Sequence, residues 1–206
     1  AVRLDTAIDG PLNRLVEVHA EAEPDEALNP YGNAVVAVET PIASEALGAR
    51  RADPARALHW RVESESATNR YGESTAYRLA IENTAQLYAK PGAVVERKAP
   101  FVGRHLWASA FDPEQRFIAG EYPNQGELGD DGVHVWQRAD RSLENERLVL
   151  WPVLGVHHFP RPEQWPIMPV DTISMRLEPD GFFDRNPSLD VPAAESDHCA
   201  APTAGG

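Results

Sequence analysis

The strongest constraint on this chain is a hydrophobic pattern of period two, repeated in short runs. In "ALHWRVES", residues 57–64, Leu58, Trp60 and Val62 alternate with His59, Arg61 and Glu63. "AYRLAIEN", 76–83, sets Tyr77, Leu79 and Ile81 against Arg78 and Glu82, and "LNRLVEVHA", 12–20, sets Val16 and Val18 against Glu17 and His19. Successive side chains of a strand point to opposite faces, so each run reads as a strand with one face toward a core. "AVVAVET" at 34–40, "HLWASAF" at 105–111, "GVHVWQR" at 132–138, "ERLVLWPVLGV" at 146–156 and "SMRLEP" at 174–179 continue the series. Turn residues separate the runs: Asp9-Gly10-Pro11, Asn29-Pro30-Tyr31-Gly32, Pro91-Gly92, Asp112-Pro113 and Gly129-Asp130-Asp131-Gly132. Many short strands so spaced predict an all-β fold, an antiparallel sandwich or barrel. Residues 44–56, rich in Ala and Arg, fit a short helix that Pro54 limits.

A chain of 206 residues is long enough to bury a sizeable core. The net charge is -13 and the basic residues are scattered. Such a surface repels phosphate backbones, which excludes nucleic acid as a partner. No apolar run is long enough for a membrane-spanning helix. The one cysteine, Cys199, makes no internal disulfide and no multi-cysteine zinc site, so any metal must lean on His or carboxylates. The chain opens on Ala1, and its first residues read as the interior of a domain, so the expectation is a part of something longer. Residues 1–190 read as one domain portion. "VPAAESDHCAAPTAGG", 191–206, has no periodicity and reads as a flexible tail.

The chemistry concentrates in "GVHHFPRPEQWPIMPVD", residues 155–171. Adjacent histidines on an extended segment point to opposite faces, so at most one of His157 and His158 serves a given site. A preceding strand and Pro160, Pro162, Pro166 and Pro169 would give that ligand a stiff support. A hydrogen-bonded imidazole beside a turn is the competing reading. His19, His59, His105, His134 and His198 are isolated, and no HxH or HxxxH pair occurs. No G-x-S-x-G elbow or phosphate loop appears. Asp130 and Asp131 read as solvated turn residues. Asp5 and Asp9 would face one side of a strand, which suits a hard cation, although an Asp-Gly-Pro turn explains Asp9 more simply.

Residues 101–192 resemble the C-terminal portion of copper amine oxidases. The resemblance is densest in the pattern W-x-x-x-G-x-x-H-x-P-R-x-E-D-W-P-x-M-P. Trp151, Gly155, His158, Pro160, Arg161, Glu163, Trp165, Pro166, Met168 and Pro169 match it, and Gln164 stands where the pattern has Asp. "NRYGESTAYRL" at 69–79 and the opening "RLDTAIDG" are also similar to family segments.

The resemblance implies part of a catalytic β-sandwich (supersandwich) domain with short helical turns. It implies a copper- and topaquinone-dependent oxidation of a primary amine by oxygen, in a homodimer. His158 aligns with the third copper histidine, Met168 with a methionine near the copper, and Trp151 and Trp165 with residues around it. Asp5, Thr6 and Leu148 align with a peripheral calcium site. Arg147 occupies its second carboxylate position, and a guanidinium cannot ligate a cation. The quinone motif Asn-Tyr-Asp/Glu-Tyr is absent from this sequence. The resemblance puts it upstream, with the HxH pair and the aspartate base. A non-catalytic β-sandwich binding module or a degenerate remnant without copper is the alternative.

Overall fold

A computed structural model of the chain describes residues 1–6, 13–125 and 127–192. The expected Asp9-Gly10-Pro11 turn, His198, Cys199 and most of the expected tail lie outside these residues. Among the described residues eight strands form two antiparallel sheets. They are β1 (Leu4–Thr6), β2 (Asn13–Ala22), β3 (Val35–Pro41), β4 (His59–Thr68), β5 (Ser74–Ile81), β6 (Leu106–Ala110), β7 (Leu148–Pro152) and β8 (Met175–Asp180), with a one-turn helix, α1 (Val94–Lys98), between β5 and β6. One sheet has the order β3-β2-β4-β5-β8 and the other β1-β7-β6.

The period-two runs place the core. Register pairs Leu15 with Val62 and Trp60 with Leu79, so these side chains share one face of the larger sheet. They meet Leu106, Ala108, Leu148 and Leu150 of the smaller sheet in one apolar cluster. This is the predicted sandwich, with one difference in β2. Leu15 faces the shared core, while Val16 and Val18, also buried, lie on the opposite face. Glu17 shares the inward face and is buried too. Its carboxylate accepts from Arg50 Nε at 2.7 Å and Trp60 Nε1 at 3.0 Å. Burial works to raise the Glu17 pKa, but the Arg50 and Trp60 contacts outweigh it and hold the carboxyl below its usual value.

β6 and β7 are buried along their whole length. The faces they turn from the main core carry Trp107, Val149 and Trp151, which pack with Val133, Phe101, Ile118 and Trp136. Strands covered on both faces need no polar alternation, which is why "LVLWP" is continuously apolar. The cover comes from a segment expected to be a strand. Residues 132–138 instead begin a helix, α2 (Val133–Trp136), continued by a 3-10 turn at Gln137–Ala139. Val133, Trp136 and Gln137 then recur at helical spacing toward the sheet. Asp131 is exposed, as expected of a turn residue, but it also has structural partners. It accepts from Gly132 N, Trp136 Nε1 and Glu121 N, which ties the loop to α2. The helix expected within 44–56 is two 3-10 turns, Glu45–Leu47 and Pro54–Arg56.

Glu45 is fully buried. Its oxygens accept from Ala110 N at 3.1 Å, Arg141 N at 3.1 Å and Arg141 Nη2 at 2.7 Å. These bonds bind the first 3-10 turn to the end of β6 and to the segment leading into β7.

Candidate metal centre

β7 delivers the histidine pair. Trp151 is locked in it by burial and by donation from its Nε1 to Ser109 Oγ at 3.1 Å. Beyond the strand, Val153 N donates to His105 O at 2.8 Å and Gly155 N to Asn83 O at 3.4 Å. A Cβ on Gly155 would lie 2.8 Å from Ala85 Cβ, so this close approach requires glycine. After the loop, Ser174 N donates to Asn83 Oδ1 at 2.7 Å and β8 begins. Asn83 therefore holds both ends of the loop that runs from Gly155 to Ser174.

Within the loop the two imidazoles go separate ways. His157 Nε2 accepts from Gln86 N at 3.2 Å, and its ring lies 4.7 Å from the Tyr88 ring. His158 Nδ1 lies 3.1 Å from Asp171 Oδ2, and its Nε2 lies 3.1 Å from Gln164 Oε1. The Gln164 oxygen is itself fixed, because it accepts from Arg161 N at 2.9 Å beside the 3-10 turn Pro162–Gln164. Carboxamide and carboxylate oxygens only accept, so an acceptor faces each nitrogen of His158. A neutral imidazole has one N–H and satisfies one of them. At the other nitrogen a lone pair meets an oxygen, and a cation there, proton or metal, relieves the contact.

The fit to copper extends to one donor. Among the described residues no group of three or more His, Cys, Asp or Glu side chains could hold a metal ion. The structure brings His158 together with Gln164 and Asp171, not with a second imidazole. Trp165 is 83% exposed and Met168 50% exposed, whereas Trp151 lies in the cluster under α2. Asn83, Gln164 and Asp171 are the residues that sequence reasoning did not assign to the site.

At the aligned calcium position, Asp5 Oδ1 accepts from Arg147 Nε at 2.8 Å and Asp5 Oδ2 from Arg147 Nη2 at 2.6 Å. Thr6 Oγ1 donates to Leu148 O at 3.1 Å. The Arg147 guanidinium lies 3.8 Å from the centre of the Phe111 ring. A built-in cation thus occupies both oxygens of Asp5.

The fold and this loop define a two-sheet antiparallel domain presenting one supported imidazole. The sequence model of the copper amine oxidase enzyme domain matches residues 1–198, and the chain belongs to that family. It is 40% identical to a primary amine oxidase of Arthrobacter sp. (strain P1), over 95% of this chain and 30% of that protein. It is 37% identical to a histamine oxidase of Arthrobacter globiformis, over 97% and 29%. Among solved structures, a copper-containing benzylamine oxidase from Hansenula polymorpha superposes with a TM-score of 0.83 at 30% identity, covering 92% of this chain and 30% of that one. The chain thus spans about 30% of the length of these relatives.

Proposed function

We propose that this chain is the C-terminal part of a copper-dependent primary-amine oxidase, with 1–190 in the catalytic sandwich and 191–206 as its tail. In this reading His158 supplies one of the copper ligands. The remaining imidazoles and the tyrosine precursor of topaquinone come from polypeptide beyond this sequence. Copper and topaquinone, when bound, supply the redox chemistry that turns a primary amine, oxygen and water into an aldehyde, ammonia and hydrogen peroxide. This chain's residues hold the ligand in place: Asn83 closes the loop, Gln164 and Asp171 orient the ring, and Trp151 anchors the strand before it. Met168 and Trp165 complete the surroundings once other parts of the protein cover them. Phe159, Trp165, Ile167 and Val170 are each more than 80% exposed. An apolar surface of that kind marks a contact face, which supports a loop packed against the rest of a longer, homodimeric enzyme.

The carrying observation is the pair of oxygen acceptors set against the two His158 ring nitrogens, inside the segment that matches the family pattern. The rival reading, a sandwich module without copper, draws on the same contacts, since a proton also relieves them. The test uses the longer protein, purified without metal and then given copper. Quinone absorbance should develop in the parent and in His157→Ala and fail to develop in His158→Ala. Normal quinone formation in His158→Ala would remove the assignment.

A further inference from the structure

A cleft of about 280 Å³ opens between residues 85–89, Arg51 and the 96–105 segment. Arg51 and Arg104 line it, with Gln86, Glu96, Ala99 and His105. Among the described residues nine other arginines form ion pairs with carboxylates, including Arg50 with Glu17. Arg51 and Arg104 pair with none among the described residues, and Arg104 donates from Nη1 to the Gly103 carbonyl.

The surrounding sequence repeats this bias. Residues 83–111 contain Lys90, Arg97, Lys98 and Arg104 against a single acid, Glu96, within a chain of net charge -13. They include both of its lysines. Glu96 Oε2 already accepts from Gly92 N at 2.6 Å. His105 adds no charge. Its Nδ1 accepts from Ala52 N at 2.9 Å and its Nε2 donates to Ala85 O at 3.2 Å. Burial pushes its pKa below the ordinary value; the Ala85 carbonyl partly opposes this and the charge of Arg51 reinforces it. The imidazole is thus a neutral wall behind two guanidiniums with free donors.

We propose that this cleft binds a small oxyanion, a carboxylate or a phosphate, between Arg51 and Arg104. A guanidinium presents its N–H donors in a planar fork that matches such anions. The volume sits at the lower edge of the range for ligand pockets, which suits a small guest. Apolar atoms of Ala99 and Ala85 leave room for a short carbon body beside the charged end. This site is independent of copper and goes beyond the amine-oxidase reading. It shares one strut with the metal loop, because Gln86 in its wall donates to His157.

The test titrates the metal-free chain with inorganic phosphate, and separately with acetate, at ionic strength held constant with sodium chloride. Nitrogen–proton correlation spectra follow the Arg51 and Arg104 Nε–H groups and the Gln86 amide. Saturable shifts at these groups are expected. Arg51→Gln and Arg104→Gln should each weaken binding about tenfold or more, with melting temperatures close to the parent's. Arg138→Gln, an exposed cation elsewhere, should leave affinity within about twofold. Tighter binding of one anion identifies the preferred source. Shifts that never saturate, or that persist unchanged in the two arginine variants, would overturn the proposal.

Discussion

Asn83→Ala tests how the loop from Gly155 to Ser174 is held. The substitution removes the Oδ1 that accepts from Ser174 N at 2.7 Å and from Ser174 Oγ at 3.3 Å. Ser174 Oγ keeps a partner, since it also donates to Glu82 Oε2 at 2.7 Å. The orphan is therefore one part-buried amide, at a cost of about 1–3 kcal/mol. That corresponds to roughly 5- to 150-fold in the equilibrium closing the C-terminal end of the loop. The other end should hold, because Gly155 N bonds to the backbone oxygen of Asn83, which alanine retains. Hydrogen exchange should speed up by that factor at Ser174 and change little at Gly155. The urea midpoint should fall by an amount consistent with the same cost. Unchanged exchange at Ser174 would refute the claim that Asn83 closes the loop.

Four further outcomes follow from these contacts. Arg141→Leu leaves the Glu45 carboxylate buried without its ion-pair partner and should cost about 3–5 kcal/mol in urea unfolding. Glu45→Gln should cost less, because Arg141 is partly exposed and has Gln115 and Asp112 nearby. His59 and His105 both have pKa values depressed chiefly by burial. The unfolded chain then binds protons more readily, so urea midpoints should decline as pH falls below about 6.5; a flat profile from pH 7.5 to 5.5 would contradict this. Millimolar calcium should leave the melting temperature unchanged, because Arg147 occupies both oxygens of Asp5; a clear rise would show that the guanidinium is displaced.

Strands β4 and β5 were legible because their alternation reports one buried face, whereas β6 and β7 are buried on both faces and show only as apolar runs. β4 and β5 carry Trp60, Val62, Leu79 and Ile81 into the core as the pattern demands. α2 was not legible, because its four residues open on Val133-His134-Val135, the i, i+2 alternation of a strand, and only the packing of Val133 and Trp136 in one cluster shows the helical spacing. Glu17 and Glu45 were hidden for another reason: their burial depends on Arg50 and Arg141, 33 and 96 residues away. The same limit applies to the site. His158 could be singled out from its pattern, while its supports Gln164 and Asp171 become visible only when the loop is folded. Asn83 sits 91 residues from the serine it clasps, and no local periodicity marks it.

The role proposed for His158 is to bind copper in a longer enzyme. Diffraction from copper-loaded crystals of that protein, collected on both sides of the copper absorption edge, measures it directly. An anomalous peak is expected about 2 Å from a His158 ring nitrogen, the length of a metal–imidazole bond, with His157 still against Tyr88. A copper peak elsewhere, with the His158 ring still held only by Gln164 and Asp171, would contradict it.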